Sequence, residues 1–253
     1  MRAIILAAGR GKRLEACNPD GIPKCLMEIG GKSLLHRQLD ILYQKGLRQA
    51  DLVIGFEADR IIEHVAALPI RPDIAFHYNP RFELGSVLSL DAASAALTGG
   101  EPVLLMDADV LFHPAILDAL LNSRHANCFL LDRNFTPGDE PVKIAVADGA
   151  MVEFRKALPG GLEYDILGES IGFFRFDGPC AAAVSARCRD YETDGRGDAP
   201  HEEVLRDLLI AETGRFGYED ITGLPWLEID FAEDVLRAER DVLPAIRKEL
   251  PGF

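Results

Sequence analysis

The residues best suited to chemistry fall in a few short groups. The run Leu6-Ala7-Ala8-Gly9-Arg10-Gly11-Lys12-Arg13-Leu14 joins small residues and two glycines to three cations. Such a loop lets backbone N–H groups approach an anion closely while side chains add positive charge. Lys24 follows shortly after. Further on, Asp107-Ala108-Asp109 closes an apolar run, and Asp230 closes Trp226-Leu227-Glu228-Ile229. A hard cation such as Mg²⁺ is held by one or two carboxylates together with phosphate oxygens and waters. A basic glycine loop and strand-end acids therefore suit a triphosphate handled with a divalent ion. Two familiar phosphate motifs are incomplete here. The dinucleotide pattern needs a third glycine where Leu14 stands, and Gly30-Gly31-Lys32-Ser33 lacks the first glycine of a P-loop, its place taken by Leu26.

The elements that must position these groups alternate. Ala3–Leu6 reads as a buried strand, and Ser33–Lys45 as a helix with Leu34, Leu35, Leu39 and Leu42 on one face. Strands over Asp51–Phe56, Ile74–Tyr78 and Pro102–Met106 alternate with helices over Asp59–Leu68 and Ser86–Leu97. This order predicts a mostly parallel sheet covered on both faces. Beyond about Asn127 strand-like runs crowd together: Phe129–Asp132, Val142–Val146, Met151–Phe154 and Ser170–Phe176, with Asp148-Gly149 as a hairpin turn. Helices return at Pro179–Arg187, Glu202–Glu212 and Ala232–Glu249, with a short strand at Leu227–Ile229. Alternation places Asp107 and Asp109 on one side of a strand's C-terminal end, the edge where open parallel sheets bind ligands. The expectation is one α/β domain over 1–253, a nucleotide-binding half (1–126) and an acceptor-binding half (127–253) that carries a β-rich insertion.

Composition sets the limits. The 253 residues are 48% hydrophobic and 27% charged, enough for a packed core and unlike a disordered chain. A formal charge of −14 repels phosphate backbones, which argues against a nucleic-acid surface while leaving room for one basic pocket. Cys17, Cys25, Cys128, Cys180 and Cys188 show no CxxC pair or zinc-ligand spacing, so they are expected as small core residues in a reducing compartment. No apolar run reaches the roughly 20 residues of a membrane span. The expected location is cytoplasmic; oligomeric state is left open.

The glycine loop, Pro23-Lys24 at its spacing, and Gly30-Gly31-Lys32-Ser33-Leu34-Leu35 together resemble the signature of nucleotidyltransferases that make sugar nucleotides and CDP-alcohols. With Asn79-Pro80-Arg81-Phe82, Gly85-Ser86, Gly168 to Phe174 and Leu227 to Asp230, the chain looks most like the phosphocholine cytidylyltransferase group. The resemblance implies a Rossmann-like, GT-A-like three-layer fold with a mixed, mostly parallel sheet. It implies that residues Leu6 to Lys12 wrap the triphosphate of an NTP, with Arg13 at the phosphates and Lys24 beside the α-phosphate. By the same resemblance Asp109 and Asp230 hold Mg²⁺, with Asp107 beside them in the nucleotide site; Glu228 is left without a role. Asn79, Gly85 and Ser86 are expected near the base.

On the acceptor side, Lys143 and Lys156 are expected to meet a phosphate or phosphonate. An amino-alcohol would need carboxylates or aromatic faces, for which Glu169, Glu202, Glu203, Tyr164 and Trp226 are candidates. The expected reaction is CMP transfer from CTP to such an acceptor with release of pyrophosphate. An ionised phosphate is already a nucleophile, so no general base is required. The rival readings are a sugar-1-phosphate nucleotidyltransferase using UTP, dTTP or GTP, a glycosyltransferase of similar fold, and a non-catalytic nucleotide-binding protein.

Overall fold

The structure, a computed structural model, describes residues 1–69 and 73–253, leaving aside the side chains of 15–17. Cys17 therefore lies outside the described side chains, whereas Cys25, Cys128, Cys180 and Cys188 are free and buried, as expected. Strand β1 (Arg2–Leu6) runs through the middle of the molecule. Its side chains alternate between two cores: Ile4 packs with Val53, Leu105 and Phe174, while Ala3 and Ile5 pack with Leu52, Leu104 and Met106. A strand buried on both faces needs helices on both sides, and this is what the chain supplies.

After the glycine loop come two short 3₁₀ segments, Lys12–Cys17 and Lys24–Leu26. Gly30 and Gly31 turn a small hairpin, β2 (Glu28–Ile29) and β3 (Lys32–Ser33). Helix α1 (Leu34–Gln44) starts at Ser33, whose hydroxyl accepts from the His36 N–H at 3.1 Å. The Gly-Gly-Lys-Ser run is thus a turn and a helix cap. Next come β4 (Gln49–Ile54), α2 (Ala58–Ala67), β5 (Asp73–Tyr78), α3 (Ser86–Ala92), α4 (Ser94–Leu97), β6 (Val103–Asp107), β7 (Val110–Phe112) and α5 (Pro114–Asn122). The helix expected over 86–97 is interrupted at Ala93, whose N–H turns back to the Leu90 carbonyl.

The later half contributes β8 (Cys128–Asp132), β9 (Lys143–Ala147), β10 (Ala150–Arg155) and β11 (Ile166–Phe176), with Asp148 and Gly149 both at positive φ in the β9–β10 turn. Then follow α6 (Gly178–Thr193), α7 (His201–Ala211), β12 (Gly217–Asp220), β13 (Trp226–Glu228), α8 (Ala232–Arg237) and α9 (Leu243–Glu249). The C-terminal helix is not continuous: a π-helical stretch, Ala238–Val242, joins α8 to α9. Pro244 cannot donate to the carbonyl one turn back, and a widened turn ahead of it absorbs that mismatch.

The main sheet runs β10-β9-β11-β6-β1-β4-β5, with β8 on β11 and β12 on β8. Its β6-β1-β4-β5 portion is parallel, and β11, β9 and β10 join antiparallel. The sheet is therefore mixed, covered on both faces, and continuous across residue 126. A separate two-strand ladder, β7 with β13, pairs Trp226 with Phe112 and Glu228 with Val110. It is small, but it joins the two acidic segments. No helix of the described residues is long and apolar enough to cross a membrane.

Candidate active site

The loop after β1 is fixed by the sheet. Ala7 donates to the Val53 carbonyl at 2.8 Å, and Phe56 donates to that of Ala8 at 3.0 Å. Gly11 has φ +67°, and a Cβ there would stand 3.3 Å from the Cβ of Lys24. The loop thus wraps against Lys24, and both line a cavity of about 300 Å³ with Leu6, Ala7, Ala8, Gly9, Ser86, Asp107 and Asp109. Cys25, Phe82, Leu84, Ser89 and Ala108 complete its wall.

The ladder between β7 and β13 brings the acids together. Ile229 donates to the Asp109 carbonyl at 3.0 Å, so the end of β13 is laid beside the turn after β6. Ile229 is fully buried, so its neighbours Glu228 and Asp230 share the opposite face. Asp109, Glu228 and Asp230 each offer a carboxylate oxygen within 4.8 Å of the others. Asp234, not Asp230, caps α8, accepting from the N–H groups of Asp230 and Phe231 at 3.0 and 2.8 Å, so the Asp230 carboxylate is left to the cluster. Oδ1 of Asp109 is buried and accepts no hydrogen bond. The donor set is all oxygen and fits a hard ion such as Mg²⁺.

Lys24 stands at the centre of these carboxylates, its Nζ 2.7 Å from both Asp109 and Asp230. Burial by itself lowers the ammonium pKa, but the charges of Asp109 and Asp230 outweigh it and raise the pKa above the usual lysine value. Asp107 is pushed well above the normal carboxylate range by burial and by Asp109. It packs directly on Gly172, where φ is +74° and a Cβ would lie 2.2 Å from Oδ2 of Asp107. Solvent reaches Glu228 along the cavity wall, yet enclosure by that wall and the nearby Asp109 and Asp230 raise its pKa well above normal. So many acids at close quarters favour either protons or a cation.

A second cavity, of about 450 Å³, opens on the other side of Glu228 and Asp230. Asp132, Glu140, Glu169 and Arg237 line it, with Phe135, Trp226 and Phe231. Trp226 donates its indole N–H to Asp132 at 2.7 Å. Burial and then Asp132 push Glu169 up to about 7. A narrow neck of about 60 Å³ joins this region to Asp107, lined by Glu140, Lys156, Glu169 and Glu202. Glu140 spans the mouth, 3.0 Å from Arg13 and 3.3 Å from Lys156.

The sequence expectations divide on this geometry. Lys24, Asp107, Asp109, Asp230, the glycine loop, Glu169 and Trp226 gather around the two cavities, and Lys156 and Glu202 line the neck. Arg13 stays at the rim, 3.4 Å from Asp230 and stacked 5.2 Å from the Phe231 ring. Arg10 lies over Phe56 and 3.8 Å from Glu83, and Lys12 is exposed. Asn79 does not line the first cavity, because its amide is consumed internally: Nδ2 donates to Ser89 and Oδ1 accepts from the Arg81 N–H. Ser86 reaches the cavity, but its hydroxyl is engaged by the His201 N–H at 2.8 Å. Gly85 is stitched to Gly197 across the same seam and stays outside the wall.

Lys143 gives its three ammonium donors to three carbonyls, those of Gly138, Pro141 and Lys156, and its charge acts on Glu169 beside the second cavity. Glu203 pairs with Arg155, and Tyr164 lies exposed away from both cavities. The sequence reading missed Glu228, although its spacing from Asp230 in an extended segment already put the two on one face. It also missed Asp132 and Arg237, which share the second cavity with residues far away in the chain.

A model of the MobA-like NTP transferase domain matches residues 3–207. The chain belongs to this family. The glycine loop, Lys24 and Asp109 all lie within the matched residues. Among curated proteins, it is 29% identical over 246 residues to the bifunctional IPC transferase and DIPP synthase of Rubrobacter xylanophilus, covering 95% of this chain and 52% of that protein. It is 27% identical over 251 residues to the CMP-5'-(3-aminopropyl)phosphonate synthase of Streptomyces rubellomurinus, covering 94% of this chain and 38% of that one. The chain thus spans about half the length of the first relative and less of the second. The inositol-1-phosphate CTP transferase from T. maritima shares the fold, with a TM-score of 0.78 at 20% identity over 98% of this chain and 96% of that one.

Proposed function

We propose that this protein transfers CMP from CTP to a phosphorylated amino-alcohol or an aminoalkylphosphonate, with Mg²⁺, and releases pyrophosphate. The observation that carries this reading is Lys24 between Asp109 and Asp230, set between a glycine-loop cavity and a second, acidic cavity. In the reaction an oxygen of the acceptor's phosphate or phosphonate forms a bond to the α-phosphorus. The bond from the α-phosphorus to the bridging oxygen breaks, and its electron pair leaves with pyrophosphate. Lys24 offers positive charge to the α-phosphate, and the N–H groups of the glycine loop with Arg13 steady the leaving group. Asp109, Glu228 and Asp230 would hold Mg²⁺, which would neutralise phosphate charge when bound.

The second cavity supports a cationic acceptor. Asp132, Glu140 and Glu169 outweigh Arg237 in charge, and Phe135, Trp226 and Phe231 add aromatic faces. One relative's name, an aminopropylphosphonate CMP synthase, supports CMP transfer to an amine-bearing acceptor, and the structural neighbour's name, an inositol-1-phosphate CTP transferase, supports CTP. Lys156, which lines the neck, would offer its cation to the acceptor's phosphate. A sugar-1-phosphate nucleotidyltransferase is the second reading, but such an acceptor brings no cation for these carboxylates.

The test is pyrophosphate release with each NTP, Mg²⁺ and a panel of acceptors: phosphocholine, phosphoethanolamine, 2-aminoethylphosphonate, inositol-1-phosphate and sugar-1-phosphates. Release only with CTP and an amine-bearing acceptor supports the proposal. Preference for UTP, dTTP or GTP with a sugar-1-phosphate refutes it.

A further inference from the structure

Gln38 lies in the middle of α1 and is completely buried. Its Nε2 donates to the carbonyl of Asp107 at 2.9 Å and to that of Val110 at 3.3 Å. These two carbonyls bracket Ala108 and Asp109. One amide therefore spans the turn that carries Asp109, using both of its donors. The turn is tied at two other points, by Ala108 to the Leu6 carbonyl at 3.2 Å and by Ile229 to the Asp109 carbonyl at 3.0 Å. The first bond ties the turn to β1 and the second to the segment bearing Asp230. Gln38 ties it to α1, the third direction in space.

The amide is retained at a cost. Its Oε1 is buried without a hydrogen-bond partner, an arrangement that an apolar side chain of similar volume would avoid. The neighbours of Gln38 along the helix, Leu35, Leu39 and Leu42, are ordinary core residues, so packing does not call for a polar group there. We infer that Gln38 is a positioning residue for the metal-binding carboxylate: it fixes the 107–110 turn so that Asp109 faces Glu228 and Asp230 before any ion arrives. The inference rests on the proposed metal role of that cluster. Residues behind metal ligands commonly set affinity by about 10- to 100-fold, because they hold the ligand in the orientation the ion needs.

The experiment compares wild type with Gln38→Met, which keeps the volume and removes both donors, and Gln38→Glu, which keeps the shape and turns a carboxylate toward two carbonyls. Mn²⁺ binding with CTP present, followed by electron paramagnetic resonance, is the first readout. The Mg²⁺ concentration for half-maximal turnover, the acceptor KM at saturating Mg²⁺ and the Tm are the others. The expected result is Mn²⁺ affinity weakened about tenfold or more and a matching rise in the Mg²⁺ requirement, with the acceptor KM at saturating Mg²⁺ within about twofold of wild type. Metal affinity within about twofold of wild type alongside a lower Tm overturns the inference and leaves Gln38 a structural residue. If Gln38→Met does not fold, Gln38→Glu decides by the same criteria. Wild-type protein that binds no Mn²⁺ even with CTP overturns the metal site itself, an outcome separate from a loss confined to the variants.

Discussion

Lys24 carries two tasks that a substitution separates. In the free protein its ammonium holds Asp109 and Asp230 together at 2.7 Å each, standing in the middle of the proposed ion site. Lys24→Met is expected to lower turnover by about 10²- to 10³-fold, the usual effect of removing a charged donor aimed at transition-state charge. The same variant is expected to bind Mn²⁺ more tightly than wild type when no nucleotide is present, because the carboxylates lose a competing cation. Titration of both proteins with Mn²⁺ checks this, and weaker binding by the variant contradicts it. Glu169 gives a pH prediction. Its carboxyl is pushed up to about 7 by burial and Asp132, with Lys143 and Arg237 acting the other way, so it is neutral below that pH and charged above it. If it faces the acceptor's ammonium, acceptor KM falls by about tenfold between pH 6 and 8, as the charged fraction rises. The acceptor phosphate titrates nearby, with a second pKa of about 6. Glu169→Gln supplies the control: it should remove the part of the KM pH dependence centred near pH 7 and leave the part due to the phosphate.

At the scale of elements, the site depends on where short segments are forced close. Gly11 holds a left-handed φ and sits against Lys24, so the loop packs on the 3₁₀ turn bearing Lys24. Gly11→Ala places a Cβ in a strained conformation 3.3 Å from the Lys24 side chain. It should cost about 1 kcal/mol of stability and, by displacing Lys24, reduce kcat more than it changes Tm. Steady-state kinetics beside a melting curve would show the split; an unchanged kcat contradicts it. On the acceptor side, Arg206 on α7 clamps Glu153 on β10 through two bonds, 2.5 and 2.8 Å long. Glu153 is nearly fully buried while Arg206 retains some solvent access. Glu153→Gln should therefore lower stability by roughly 3 kcal/mol, toward the low end for a broken buried pair, measurable by denaturant unfolding.

The whole molecule carries a charge of −14, and the acids at the junction of the two cavities concentrate part of that excess. Bringing a nucleotide triphosphate there without a cation sets like charges together. CTP with Mg²⁺ should therefore stabilise the fold far more than CTP with a chelator. At a concentration about 100 times Kd the gain is about 2.7 kcal/mol, or roughly 5–10 °C in Tm for a chain of this size. Thermal melts with CTP, Mg²⁺, both and neither provide the check, and equal shifts with and without the ion refute the proposed metal dependence.

What the sequence determined by itself was mostly local. The glycine loop, its cations, Lys24 at its spacing and the alternation of strands and helices are all set by neighbours in the chain, so the sheet was legible there, and with it the loop and lysine that the proposed function uses. Side-chain parity could have revealed Glu228, since an extended Glu-Ile-Asp puts its acids on one face whatever lies around it. The partners of each polar group were decided only in three dimensions. Lys143 reads as a free cation until the fold brings three carbonyls to it, and Asn79 reads as a donor until Ser89 and Arg81 occupy both its ends. Asp132 beside Trp226, Glu140 between Arg13 and Lys156, and Gln38 under the 107–110 turn join residues far apart in the chain. Hydrogen-bond donors are few and are claimed by whichever acceptor packing brings within reach. Residue type gives the capacity for chemistry; tertiary contacts decide which of that capacity remains for a substrate.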